Sequence, residues 1–165
     1  MKIELYGADG KWQRTILIER GLSLDWGAYY AVTHKTPSYE RLGLVNTVFK
    51  GLDWFSSKGS KIVTALGKDI DIERDLIAEI TDFFPHGPFS EQRIPEKVKR
   101  NGVGTHVLRS IVEDLKNSER IDRFYVSNPS DSFYRRLKRF EGFSDFREFR
   151  FPEDPKKRHI YARVA

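Results

Sequence analysis

Val103, Val107, Leu108, Ile111, Val112 and Leu115 recur at three- and four-residue spacing, the pattern of a helix with one buried face. The residues leading into it are Lys99-Arg100-Asn101-Gly102-Val103-Gly104. A helix N-terminus presents backbone N–H groups that have no helical partner, and the aligned peptide dipoles add roughly half a positive charge there. Glycine has no Cβ to hold a ligand away from the backbone. A turn of this composition can cradle a phosphate, and Lys99 and Arg100 would add attraction and side-chain donors. Two glycines also serve a tight strand-to-helix turn, so the spacing alone leaves both uses open. A P-loop is absent, because no Gly-Lys-Ser/Thr follows. The dinucleotide fingerprint fails at Val107, where Gly or Ala is required.

The flanking pattern predicts the other elements. Residues 2–7 and 12–19 read as a hairpin around Ala8-Asp9-Gly10. Residues 24–33 predict a third strand with a bulge at Gly27. Thr36-Pro37 reads as a helix start, followed at helical spacing by Leu42, Val45, Val48, Phe49, Leu52 and Phe55. Residues 61–66 (KIVTAL) predict a short strand. Asp71 would cap a helix burying Ile72, Leu76, Ile77, Ile80 and Phe83 or Phe84, stopped by Pro85-His86-Gly87-Pro88. Residues 89–94 predict a strand, followed by the helix from Val103 and a strand at 121–127. A helix starting at Asn128-Pro129-Ser130 would bury Phe133, Leu137 and Phe140 and end at Gly142. Strands at 143–151 and 159–164 close the chain. The second half thus reads strand, helix, strand, helix, strand, strand, a sheet domain of the α/β or α+β class.

Composition narrows the function classes. With 165 residues, 39% of them apolar, the chain can bury a core as one domain. Cysteine is absent, which excludes disulfides, thiolate zinc sites and a cysteine nucleophile. Its four histidines, His34, His86, His106 and His159, show no metal-ligand spacing. There is no apolar run near the roughly 18 residues of a membrane span. The first ten residues lack a signal-peptide apolar segment, so a cytoplasmic protein is expected. Residues 1–92 hold 11 Lys/Arg against 13 Asp/Glu, and residues 93–165 hold 18 against 11. A basic second half suits an anionic ligand such as nucleic acid, a phosphorylated cofactor or an acidic partner.

The stretch from Lys99 to Gly104 resembles the pyrophosphate-binding motif of the GNAT acyltransferase superfamily: Gln or Arg, two residues, Gly, any residue, then Gly or Ala. The similarity extends over about residues 89–151. Ile94-Pro95-Glu96-Lys97-Val98 looks like the end of the family's fourth strand and its loop, and Thr105–Leu115 like the next helix. Val126-Ser127-Asn128 looks like the end of the fifth strand. Phe133-Tyr134-Arg135-Arg136-Leu137 with Gly142-Phe143 looks like the last helix and its exit. The resemblance implies an α+β fold with a mixed, mostly antiparallel twisted sheet flanked by helices. It implies one domain over 1–165, with 1–85 an atypical N-terminal half and 86–165 the acyl-coenzyme A-binding core. The implied activity is transfer of an acyl group, acetyl first, from acetyl-CoA to a primary amine, with acetyl-CoA as cosubstrate and no metal.

Site residues follow from the same resemblance. The coenzyme A diphosphate would sit on the turn formed by Arg100, Asn101, Gly102, Val103, Gly104 and Thr105, beside Lys99. The pantetheine arm would run antiparallel to the 89–94 strand, bonding backbone near Gln92 and Ile94, with Asn128 reaching the same arm. An N–H near Ile94 would polarise the thioester carbonyl, worth about 3–4 kcal/mol in the transition state. Tyr134 would protonate the leaving thiolate, and Glu91 would be the base ahead of Glu96 and His86. Plainer roles stand beside these: Tyr134 as a core residue next to Phe133, Glu91 as an exposed strand carboxylate, Asn128 as a helix cap. The acceptor would be an amine on a small molecule, peptide or RNA, with no membrane partner, and the protein a monomer or homodimer. Two other functions fit the residues. One is a nucleic-acid-binding domain using the basic, aromatic-rich second half. The other is a catalytically inactive GNAT-like module that binds coenzyme A or a partner, suggested by Lys99 at the motif's Gln/Arg position.

Overall fold

The computed structural model describes residues 1–6, 9–23, 25–35, 39–83 and 103–165. Eight strands form one sheet in the order β1-β2-β3-β4-β5-β6-β8-β7. They are β1 (Lys2–Tyr6), β2 (Trp12–Leu22), β3 (Gly27–Lys35), β4 (Tyr39–Lys50), β5 (Ile77–Phe83), β6 (Arg123–Ser127), β7 (Phe143–Phe151) and β8 (Asp154–Val164). The helices are α1 (Leu52–Phe55), α2 (Ser60–Leu66), α3 (Val103–Glu119) and α4 (Asp131–Arg139), with a 3₁₀ turn at Gly67–Asp69. The class is α+β and the sheet is mostly antiparallel, one of the two classes left open by the order of elements. β1 with β2, β2 with β3, β6 with β8 and β7 with β8 pair antiparallel, whereas β5 and β6 run parallel. No helix among the described residues is long and apolar enough to cross a membrane.

The chain divides into two compact units, residues 1–47 with 82–113 and residues 48–81 with 114–165. In the first, Gly10 turns the β1–β2 hairpin at a φ of 75°, and Lys11 N–H donates to Asp9 Oδ1 at 3.0 Å. Ile16, Ile18, Tyr30, Val32 and Val45 are fully buried there, and so is the polar Thr47. Thr47 Oγ1 accepts from Ala28 N–H at 3.2 Å and donates to Ala28 O at 3.0 Å, so its burial leaves no bond unmade. Val103, Val107, Leu108, Ile111 and Val112 line the buried face of α3 expected from their spacing.

Three expected elements are replaced. Over the described residues the helix expected after Thr36-Pro37 is strand β4 followed by the single turn of α1, and Thr36 and Pro37 lie outside those residues. Val45, Thr47 and Phe49 are buried while Asn46, Val48 and Lys50 are half-buried, a period of two. A strand apolar on both faces offers matches to a helical template as well, and the β-branched Val45, Thr47 and Val48 favour the strand. The helix expected after Asp71 is replaced by β5 over Ile77–Phe83 for the same reason, since Ile77, Ala78 and Ile80 are buried on both of its faces. KIVTAL is the helix α2, not a strand: Ile62 and Leu66 are buried four residues apart while Lys61, Thr64 and Ala65 are exposed. The strand expected at 89–94 lies outside the described residues. The later helices, the strand near 121–127 and the closing strand pair stand where expected.

In the second unit, α1, α2 and the 3₁₀ turn place Phe55, Ile62, Leu66 and Ile70 against Ile77, Tyr125 and Tyr161 of the sheet. Gly59 caps α2, and a Cβ there would run into the Trp54 indole. Elsewhere Gly→Ala at an ordinary φ stabilises by about 0.4–1 kcal/mol; here the overlap reverses the sign. Gly59→Ala is expected to cost about 1–2 kcal/mol in urea unfolding and to shift the tryptophan emission. An unchanged midpoint would mean that Trp54 moves aside freely.

Candidate functional site

Strand periodicity sorts the second unit's side chains onto two faces. Glu79 pairs with Tyr125, Tyr125 with Tyr161, and Ser127 with His159, so all five share one face of β5, β6 and β8. Phe149 joins them opposite His159. Trp54 from α1 packs on this face, its ring centroid 5.4 Å from that of Tyr125.

At the carboxyl end of β6 this face becomes polar. Tyr125 Oη lies 2.6 Å from His159 Nδ1. Burial raises the Tyr125 pKa, a hydrogen bond from Ser127 opposes it, and the Glu79 charge adds to the rise. Burial lowers the His159 pKa, helped by Lys157 and opposed by Asp154. The imidazole tautomer decides which of the two groups donates in this contact. Phe151 covers the imidazole with ring centroids 4.9 Å apart. Glu79 pairs with Lys50 at 3.3 Å, and Lys50 also stands 5.9 Å from the Trp54 ring centroid. The two side chains are only 18% and 22% exposed, so water screens their charges less than it would on an open surface.

Deeper on the same face, Arg123 is 5% exposed. Its Nη1 donates to Tyr161 Oη and to Asp69 O, both at 2.5 Å, and its Nη2 lies 3.2 Å from Asp75 Oδ2. These bonds tie the 69–75 segment to β6 and β8. Arg147 reaches the same segment, bonding Asp69 and Asp145, and both carboxylates hold its pKa above the usual arginine value.

The opposite face carries Tyr134. Its hydroxyl donates to Glu148 Oε2 at 2.8 Å, its ring packs on Phe146, and the Arg158 guanidinium lies 4.3 Å from the ring centroid. The bond to Glu148 raises the Tyr134 pKa. Burial works to raise the Glu148 carboxyl, and hydrogen bonds from Tyr134 and Arg150 outweigh it. Arg158 also bonds Asp131 at 3.0 Å. Tyr134 is half-buried, unlike Phe133 and Leu137, which form the buried face of α4.

Val103, Gly104 and Thr105 form the first turn of α3, with Val103 and Gly104 buried. Asn128 ends β6 in the left-handed region at a φ of 49°, a conformation that asparagine tolerates, and its N–H donates to Arg158 O at 2.7 Å. The cap of α4 is Ser130, which accepts from Phe133 N–H at 3.3 Å, so Asn128 is free of that duty. Glu91, Gln92, Ile94, Lys99, Arg100, Asn101 and Gly102 lie outside the described residues, as do His86 and Glu96. Among the described residues no group of three or more His, Asp or Glu could hold a metal ion.

Sequence reading missed Glu79, Tyr125 and His159. Glu79 was assigned to a helix, and Tyr125 and His159 are 34 residues apart, brought together only by the β6–β8 register. The one available signal was the alternation of Arg123, Tyr125 and Ser127 along a strand correctly placed. Neither a protein-family model nor a curated protein matches the chain.

Proposed function

We propose that the chain is an acyl-coenzyme A-dependent N-acyltransferase that moves an acyl group, acetyl first, from acetyl-CoA to a primary amine. One observation carries this reading beyond the Lys99–Gly104 resemblance: β5 and β6 are a parallel pair whose connection contains α3. Their pairing covers Ile77–Glu79 and Arg123–Tyr125, while β5 runs on to Phe83 and β6 to Ser127. Ligands of open sheets with parallel strands sit beyond the carboxyl ends of those strands. By the resemblance, the N–H groups at the start of α3, with Lys99 and Arg100 just before it in the sequence, would supply the donors a diphosphate requires. The order β5, α3, β6, α4, β7, β8 among the described residues supports this reading. Tyr134 would protonate the leaving thiolate, its hydroxyl turning from Glu148 toward the sulfur.

Acetyl-CoA and coenzyme A, but not acetate, are expected to stabilise the fold. At 100 times its dissociation constant a ligand adds about 2.7 kcal/mol, which is about 5–10 °C in Tm for a chain of this size. Differential scanning fluorimetry with millimolar ligand tests this, and no shift would sink the cofactor assignment.

A further inference from the structure

We propose that the outer face of α4 is a docking surface for the phosphate backbone of a nucleic-acid duplex. The acyltransferase reading gives Arg135, Lys138 and Arg139 no role, so the two stand or fall separately.

Phe133 and Leu137 bury one side of α4. Arg135, Lys138 and Arg139 are exposed, and their i, i+3, i+4 spacing puts them in one stripe on the other side. The helix holds a single carboxylate, Asp131, and Arg158 takes it at 3.0 Å. Among the described residues the three cations of the stripe have no carboxylate partner. The arginines at 123, 147, 150, 158 and 163 in the same unit each have one. Beside the stripe, Arg150 and Arg158 share Glu148, two guanidiniums on one carboxylate, and are 49% and 25% exposed. They carry the positive surface past Tyr134 onto β7 and β8. Like charges three and four residues apart repel one another on a helix. The helix dipole favours Lys138 and Arg139 in the last turn, but Arg135 lies outside that turn. A bound polyanion relieves the repulsion.

The chemistry selects the partner. Cations held on a rigid element match a stiff array of phosphates, and guanidinium forks take phosphate oxygens in pairs. A membrane surface would call for apolar side chains beside the cations. The exposed large apolar residues, Met1, Trp26, Leu52 and Ile72, all lie on other segments. Single strands are held by bases stacked on open aromatic rings. Phe133 and Phe140 are buried, and the Tyr134 ring already meets Arg158, Lys138 and Phe146. A flexible acidic peptide pays an ordering entropy that a stiff duplex does not. The duplex backbone fits the surface best.

The test titrates the full chain with a fluorescent duplex of about 20 base pairs, at salt concentrations from about 50 to 200 mM. Arg135→Gln with Lys138→Gln and Arg139→Gln removes the three charges and keeps good helix formers. This variant is expected to keep the parent melting temperature and to flatten the slope of log K against log salt by about 3. At about 0.1 M salt its binding is expected to weaken on the order of 100-fold. Lys11→Gln with Lys58→Gln and Lys68→Gln removes the same charge from exposed sites elsewhere, and is expected to bind like the parent. No duplex binding at the lowest salt overturns the proposal, and so does an α4 variant that binds like the parent. Equal losses in the two variants overturn it too, because net charge alone would then explain the binding. Tighter binding of either single strand, of oligoglutamate or of phosphatidylserine vesicles overturns it in favour of that partner. Displacement of the duplex by coenzyme A overturns it by assigning the stripe to the cofactor. Duplex binding that coenzyme A leaves untouched supports it, whatever becomes of the acyltransferase reading.

Discussion

Arg123→Met is expected to lower the unfolding free energy by about 3 kcal/mol, the low end of the range for breaking a buried ion pair. The Arg123 side chain is 6% exposed and reaches Asp75 at 3.2 Å, Tyr161 Oη and Asp69 O. Methionine fills much of its volume but leaves the Tyr161 oxygen and the Asp69 carbonyl without that donor, and Asp75 without its cation. The Asp75 side chain is 27% exposed, so water can reclaim part of it, which is why the low end applies. Arg123 Nε makes no hydrogen bond although the Asp122 carboxylate is 3.8 Å away, so the native group already carries some unmet demand. Urea denaturation measures the loss. A change under 1 kcal/mol would show that the 69–75 segment holds to the sheet without this arginine. In Arg123→Met/Asp75→Leu, where no carboxylate is stranded, part of the loss is expected to return.

Reversing both motif cations, Lys99→Glu with Arg100→Glu, is expected to weaken coenzyme A by at least about 100-fold, since each charge-assisted bond is worth roughly 1.5–3 kcal/mol. The melting temperature without ligand should not move. Gly104→Glu should also abolish binding, but Gly104 is buried in the first turn of α3, so that variant loses packing and binding together. The charge reversal separates the two. Equal affinity by calorimetry in the double variant would place the diphosphate elsewhere or remove it.

Legibility in the sequence followed the number of faces an element buries. α3 and α4 each bury one stripe, at Val107/Ile111 and Phe133/Leu137, and their spacing admits one reading. β4 and β5 are apolar on both sides, so Leu42, Val45 and Phe49, or Ile77 and Ile80, match a helical template as well as a strand. That ambiguity hid Glu79 from any account of the site. Short motifs single out Tyr134 and Asn128, yet no motif names their partners Glu148 and Arg158, because those contacts depend on how β7 and β8 pair. The Tyr125–His159 contact is of the same kind: each residue is ordinary in its own segment, and the chemistry exists only in the register between strands.

That register gives β8 a double duty. Arg158 faces Tyr134 and Asp131, while the next residue, His159, faces Tyr125. Two hydrogen-bonded groups on opposite sides of the sheet thus hang from adjacent peptide units. Inserting or deleting a single residue upstream of Arg158 would turn each side chain through the sheet and exchange them, presenting a guanidinium to the tyrosine on one side and an imidazole to the carboxylates on the other. Strand β8 should therefore tolerate substitutions at its exposed positions far better than any change in length, and a length variant that keeps the fold should lose both groups at once.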